Sequence, residues 1–179
     1  MESLNKFFSL VADQFRYGGQ KYAQTETKEA TDVLFDDFGK NWLLGTIAKY
    51  VKRYSNLARE RDLLKIACYQ YILWLKRGFH LKSEGTKKII NTTVKIKAEY
   101  FDKFKFKVTG FVLYYLERPV PSNALDIIYG TLLECANMQF SHTTEDQLYS
   151  IFALTYILWD RDIKNKGIDL DTWNEEKRK

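Results

Sequence analysis

The chain has 179 residues, of which 45% are apolar and 28% charged, with 9 glycines and only 2 prolines. This composition is typical of a soluble globular protein, and the scarcity of Gly and Pro argues against an all-β protein built on many turns. No apolar run approaches the roughly 20 residues of a membrane-spanning helix, and the N-terminus lacks a signal-peptide cleavage site, so we expect a cytoplasmic protein with no membrane partner.

The net charge of +5 is unevenly distributed along the chain. Residues 82–107 carry eight lysines and three acidic residues, whereas residues 108–179 carry seven basic and eleven acidic residues. A chain polarised in this way has one segment suited to binding anions.

In the first half, the spacing of apolar side chains predicts helices throughout. Residues 3–16 form an amphipathic pattern, and residues 28–38 form another that Gly39 interrupts. Residues 42–54 and 64–75 repeat apolar side chains at i, i+3 and i+4. These two patterns predict a helical hairpin.

In the second half, residues 86–105 fit a helix, although KFKFKV at residues 103–108 also alternates as a strand would. We favour the helix and keep a short extended stretch as the alternative. Ser122 can cap a helix over residues 123–139. Thr144 and Gln147 form a capping box for a helix over 145–163, which predicts a second hairpin.

The tetrapeptide YILW occurs twice, at residues 71–74 and 156–159. When residue 41 is laid on residue 126, an offset of 85, nine identities fall within residues 41–74 without a gap. We therefore predict an all-α helical bundle made of two tandem related hairpins with pseudo-twofold symmetry. The first repeat would span residues 1–85 and the second, degenerate repeat residues 86–179, packed as one unit.

The two halves differ in their charged side chains. If one copy keeps a site and the other becomes scaffold, charges should survive in one half only, although surface drift would give the same pattern. The first-half residues Lys49, Lys52, Arg53, Asp62 and Lys65 are replaced by Glu134, Asn137, Met138, Gln147 and Ser150.

An acidic stripe precedes the first hairpin. Glu26, Glu29, Asp32 and Asp36 follow one another at steps of three, three and four, so a helix would place them on one face. Their mutual repulsion would be relieved by Mg²⁺ or by Lys49 and Arg53 across a groove. A solvated stripe favoured by the helix dipole is the alternative.

Residues 29–75 resemble the small SaV-like domain that is common in bacteriophages. The acidic helix, the stretch LLGTIAKYVKR at 43–53 and the stretch DLLKIA at 62–67 match that family's polar positions in order and spacing. The asparagine that usually follows the glycine is Thr46 here. A weaker similarity, carried by Glu26 and Glu29, is to all-α nucleoside-triphosphate pyrophosphohydrolases of the MazG type.

The resemblance implies a phage-encoded protein, located in the cytoplasm of a bacterial host, that binds nucleotide phosphates. Members of the SaV-like family are often described as nucleotide kinase-like, and kinase or pyrophosphohydrolase-like activity is the expectation here, with Mg²⁺ as the candidate cofactor. No classical phosphate-binding loop, G-x-x-x-x-G-K-[ST], occurs in the chain. The implied phosphate-binding residues are Lys49, Arg53 and Lys65, and the implied metal ligands are Glu29, Asp32, Asp36 and Asp62.

Two alternative functions need no catalysis. The segment 82–107 mixes lysines with aromatic residues, as single-strand-binding surfaces do. The chain would otherwise bind a host or phage protein, or assemble as a homo-oligomer, through exposed aromatic side chains. The lysines proposed for nucleic acid are Lys95, Lys97, Lys103, Lys105 and Lys107.

Overall fold

The computed structural model describes residues 1–22, 30–78, 98–137 and 142–164, without the side chains of residues 18–22, 30–32, 98 and 142–144. Apart from short connections, this described part is helical, which confirms the all-α helical bundle. The elements are α1 (Glu2–Tyr22), α2 (Ala30–Leu57), α3 (Glu60–Lys76), α4 (Ala98–Leu116), α5 (Ala124–Asn137), α6 (His142–Trp159) and a π-helical segment (Asp160–Lys164).

The six α-helices form three layers of two. α3 and α6 pack against each other in the middle layer. On one side α2 covers α3 and α5 covers α6, and α2 and α5 also touch. On the other side α1 covers α3 and α4 covers α6. Because the middle helices are covered on both sides, their side chains are buried almost without interruption, including every residue from 151 to 159.

The two YILW segments lie in these middle helices and meet the outer helices through equivalent aromatic contacts. Each of α1 and α4 places one fully buried phenylalanine against the tyrosine and tryptophan of one segment, with ring centroids 5.2–5.6 Å apart. The contacts join Phe7 to Tyr156 and Trp159, and Phe104 to Tyr71 and Trp74.

The two tryptophans also bond across the middle layer. Trp74 Nε1 donates to the Tyr149 hydroxyl at 2.9 Å and to Glu145 Oε1 at 3.2 Å, and Trp159 Nε1 donates to Glu60 Oε1 at 2.7 Å. At the offset of 85, Trp74 corresponds to Trp159 and Glu60 to Glu145. Each half of the chain therefore supplies the acceptor for the tryptophan of the other half.

Gly39 interrupts α2, as its sequence position predicts. Its φ of 66° and ψ of −157° lie outside the helical region, and a side chain would be strained at this positive φ. Asp32, Asp36 and Asp37 are therefore separated by a kink from the part of α2 that pairs with α3.

The segment 103–108 is helical, so the extended alternative does not occur. α4 passes through it without interruption. A strand would place Phe104 and Phe106 on the same face, whereas Phe104 is fully buried and Phe106 is 78% exposed. This difference is that expected of residues two apart in a helix.

Several predicted boundaries differ from the observed ones or lie outside the described residues. α4 continues to Leu116, beyond the predicted end at residue 105, and α5 begins at Ala124 rather than residue 123. α6 begins at His142, and the side chain of Thr144 in the predicted capping box is not described. Residues 86–97, the predicted repeat boundary near 85 and the tail 165–179 also lie outside the described ranges. In the described helices, none is both long and apolar enough to cross a bilayer.

Candidate functional site

Polar residues of the first hairpin meet where the C-terminal half of α2 faces the start of α3. Lys49, Tyr50 and Arg53 lie within about one helical turn of one another on α2. Lys65 and Asp62 lie at a spacing of three on the first turns of α3. Only residues 58 and 59 separate the two helices, so the chain reverses and these side chains meet.

Arg53 and Asp62 form an ion pair in which the carboxylate is buried. The Nε of Arg53 donates to both carboxylate oxygens of Asp62, at 2.8 and 2.9 Å, and its Nη2 also donates to Oδ1. The side chain of Asp62 is fully buried, whereas that of Arg53 is 37% exposed. Both Asp62 oxygens are occupied by Arg53, so binding of Mg²⁺ by this carboxylate would require the pair to open.

Three cationic groups surround the ring of Tyr50. The Nζ of Lys49 lies 4.7 Å from the ring centroid, the Nζ of Lys65 4.9 Å and the Cζ of Arg53 5.0 Å, all within the range of cation–π attraction. Lys65 Nζ also donates to the Tyr50 hydroxyl at 3.3 Å. In the following, the Tyr50 cluster denotes Lys49, Tyr50, Arg53, Asp62 and Lys65.

Lys65 is held in an environment that disfavours its charged form. Burial, together with the positive charges of Arg61 and Arg53, lowers the pKa of its amine to about 8, while Asp62 opposes the shift. In the described part of the chain, no ion pair joins Lys49 or Lys65 to a carboxylate. The cluster thus has an excess of positive charge that a bound anion would relieve.

An aromatic surface adjoins the cations. The ring of Tyr50 is stacked on that of Tyr69 from α3, with centroids 5.9 Å apart and planes inclined by 13°. Trp42 of α2 meets Tyr69 edge to face at 6.3 Å. Tyr69 and Trp42 are half-buried. The first hairpin therefore presents aromatic rings beside its cations.

The sequence predictions identified the cations of this site but missed its aromatic side. Tyr69 lies one turn after Lys65, and Trp42 lies two turns before Tyr50. Helical spacing from the predicted phosphate ligands would have pointed to both rings. The apolar pattern over residues 42–54 includes Trp42, whereas no sequence prediction concerns Tyr69.

The four predicted metal ligands have different outcomes. Asp62 is paired with Arg53, and Asp36 is exposed on the part of α2 before the Gly39 kink. Glu29 lies outside the described residues, as does the side chain of Asp32. Among the side chains that the structure describes, no group of three or more His, Cys, Asp or Glu is placed to hold a metal ion.

The predicted nucleic-acid lysines are only partly described. Lys95 and Lys97 lie outside the described residues. Lys105 forms an ion pair with Asp102 at 2.5 Å, and its Nζ lies 5.4 Å from the centroid of the Phe101 ring. Lys107 is exposed and Lys103 half-buried on α4. Part of this basic segment is thus already neutralised within the chain.

No cationic side chain stands at the corresponding positions of the second half, which are Glu134, Cys135, Met138, Gln147 and Ser150. Cys135 stands where Tyr50 does, is buried, and its Sγ donates to Gln147 Oε1 at 3.4 Å. Ser150, in the place of Lys65, shares a hydrogen bond of 2.6 Å with Tyr115. Burial raises the pKa of the Cys135 thiol to about 11, so this thiol stays neutral near pH 7.

No protein-family model matches the chain, and no curated protein and no solved structure matches it significantly.

Proposed function

We propose that the Tyr50 cluster binds the phosphate groups of a nucleotide. The observation that carries the proposal is the gathering of three cationic groups within about 5 Å of one ring, two of them without a carboxylate partner in the described structure. Lys49 and Lys65 are the direct phosphate ligands. Arg53 is held in place by Asp62, and its side chain is 37% exposed.

The neighbouring aromatic rings favour a nucleotide over a simple inorganic anion. Tyr69 and Trp42 offer partly exposed ring surface beside the cations. A nucleobase stacked on such a surface contributes roughly 1–3 kcal/mol, and its phosphates would then reach the amines. The resemblance of residues 29–75 to a nucleotide kinase-like family of phages points to the same ligand class.

Mg²⁺ has a secondary place in this proposal. Because both carboxylate oxygens of Asp62 bond to Arg53, Mg²⁺ would bind through the nucleotide phosphates. Among the other predicted acidic ligands, Asp36 is the one whose side chain the structure describes. Phosphoryl transfer requires positioning and charge neutralisation, which Lys49, Arg53 and Lys65 supply at a bound phosphate. The proposed class is a nucleotide-binding protein of kinase-like or pyrophosphohydrolase-like type.

Isothermal titration with deoxynucleoside mono-, di- and triphosphates, each with and without Mg²⁺, tests the proposal. We expect Lys49→Gln and Lys65→Gln each to weaken binding about tenfold or more, because each removes a charge-assisted hydrogen bond of roughly 1.5–3 kcal/mol. Lys52→Gln is the matched control, since Lys52 is an exposed lysine of the same helix outside the cluster.

The pH dependence of binding provides a second readout. A phosphate beside Lys65 favours the protonated amine, so affinity should fall as the pH rises through about 8. Absence of binding by every nucleotide in this series would refute the proposal. Binding that is equally insensitive to Lys49→Gln, Lys65→Gln and Lys52→Gln would place the ligand elsewhere.

We also infer that the two halves arose by internal duplication. The support is the nine identities and the reciprocal Trp–Glu bonds, which share the offset of 85, together with the paired contacts of Phe7 and Phe104, which lie 97 residues apart. If the surroundings are equivalent, Trp74→Phe and Trp159→Phe should lower the free energy of unfolding by similar amounts, roughly 1–3 kcal/mol each. Losses that differ by more than about 2 kcal/mol in urea unfolding would contradict equivalence.

A further inference from the structure

The outward face of α4 carries an apolar stripe that the described residues of the chain do not cover. Phe106 is 78% exposed, Leu113 48% and Tyr114 52%. The stripe defined by Phe106, Gly110 and Leu113 points directly away from Phe104 and Val108, which are fully buried, because these positions lie on opposite sides of a 3.6-residue helix. Large apolar side chains are thus concentrated on a face that no described residue of the chain covers.

The architecture does not require this stripe to be apolar. α1 is the other outer helix of the same layer, and its core positions 4, 7, 11 and 15 have the same spacing as 101, 104, 108 and 112 in α4. With that alignment, Ser9, Asp13 and Arg16 of α1 stand where Phe106, Gly110 and Leu113 stand in α4. Those α1 residues are exposed and polar, and Arg16 pairs with Asp13 at 3.0 Å.

Gly110 lies at the centre of the stripe, and no packing contact with the described residues of the chain requires a glycine there. It is helical, and a Cβ atom there would have no neighbour within 4 Å. A glycine in a helix interior costs about 1 kcal/mol relative to alanine. A bare backbone between two exposed apolar side chains permits another helix to approach closely.

We propose that α4 packs antiparallel against α4 of a second copy of this chain, with the twofold axis at Gly110. In such a pair, residues equally far from Gly110 on opposite sides stand at the same height, since each residue advances 1.5 Å along the axis. Phe106 then faces Tyr114 of the partner subunit, both four residues from Gly110.

The charges at the ends of the stripe fit this arrangement. Lys103 and Glu117 each lie seven residues from Gly110, which is close to two turns and returns to the same face. The antiparallel pair therefore sets Lys103 against Glu117 of the partner subunit. A parallel pair would oppose like charges instead.

The same charges make a nucleic acid a poorer occupant. Asp102, Lys107 and Glu117 are exposed on this face, Lys103 is half-buried there, and Asp102 already pairs with Lys105. A polyanion would be repelled by the acidic residues at both ends of the stripe. Because one helix face buries less than the standard protein interface of about 1,600 Å², the dimer should be weak and depend on concentration.

Sedimentation equilibrium over a concentration series tests the dimer, with the dissociation constant as the readout. We expect a monomer–dimer equilibrium that Gly110→Leu abolishes, because the new side chain occupies the helix crossing while the monomer has open space for it. Circular dichroism of this variant should show an unchanged helix content. Asp13→Leu, at the corresponding position of α1, is the matched control and should leave the dissociation constant unchanged.

A charge exchange tests the antiparallel register. Lys103→Glu and Glu117→Lys should each raise the dissociation constant of the dimer about tenfold or more, because each substitution sets like charges opposite one another. The double variant restores opposite charges, so its dissociation constant should return to within about threefold of the original value. A chain that remains monomeric at its highest soluble concentration overturns the proposal. So does a dimer that tolerates Gly110→Leu, a double variant without recovery, or a monomer that binds single-stranded DNA through Phe106.

Discussion

Replacing Arg53 with methionine would leave the carboxylate of Asp62 buried without the guanidinium that now bonds to both of its oxygens. Asp62 is fully buried, so water cannot replace the lost partner unless the helix ends separate. Removal of one member of a buried ion pair costs roughly 3–5 kcal/mol, since an uncompensated charge remains in a medium of low polarity. We expect Arg53→Met to lower the free energy of unfolding by about that amount.

The reverse substitution should cost less. In Asp62→Ala the remaining charge is that of Arg53, whose side chain is already 37% exposed and can turn toward water. We expect a loss of roughly 1–2 kcal/mol, mostly from the lost hydrogen bonds. The double variant Arg53→Met/Asp62→Leu leaves no buried charge and should recover most of the stability lost in Arg53→Met. Lys52→Met, an exposed substitution on α2, should change stability by less than about 0.5 kcal/mol.

Urea unfolding followed by far-UV circular dichroism measures all four variants, because the described fold is helical. A loss below about 1 kcal/mol for Arg53→Met would refute the reasoning, since it would mean that Asp62 is hydrated or otherwise compensated in the folded chain. A double variant as unstable as Arg53→Met would also refute it, because the damage would then come from lost packing rather than from a buried charge.

Three further predictions concern the fold and its pH dependence. Phe104→Ala should lower the free energy of unfolding in urea by roughly 3–5 kcal/mol, because the Phe104 ring is buried. Phe106→Ala should change the stability of the dilute monomer by less than about 0.5 kcal/mol, because the Phe106 ring is exposed. Equal losses would contradict the register of α4. Gly39→Ala should destabilise the fold by roughly 1–3 kcal/mol because the φ of Gly39 is 66°. Gly45→Ala, at a helical position with open space around it, should stabilise the fold by up to about 1 kcal/mol. A Gly39→Ala variant of unchanged stability would contradict the kink. The pKa of Lys65 is about 8 in the folded chain and 10.5 in the unfolded chain, so the unfolded chain binds more protons between pH 8 and pH 10.5. The free energy of unfolding of the unsubstituted chain, measured relative to Lys65→Met, should therefore rise with pH across that window. A difference that does not change with pH would contradict the shift.

The amino-acid sequence by itself determined the helical class and the position of most helices. Apolar spacing of three and four residues is a local property, so it predicted α1, α2, α3 and α6 without knowledge of their partners. Gly39 was predicted to interrupt α2 for an equally local reason, its backbone freedom. Alternation at residues 103–108 was ambiguous because six residues fit both periods, and only the buried position of Phe104 in the folded chain decided for the helix.

The tertiary structure alone decided which groups the polar side chains contact. Arg53 and Asp62 were predicted to bind phosphate and metal, respectively, yet the short turn between α2 and α3 brings them together and buries the carboxylate. Trp74 and Glu145 are 71 residues apart in the chain, and only the packing of α3 on α6 brings them into hydrogen-bonding distance. Local sequence specifies which face of a helix is apolar. The partner of a side chain depends instead on contacts between distant segments, and these contacts form only when the apolar faces are buried against one another.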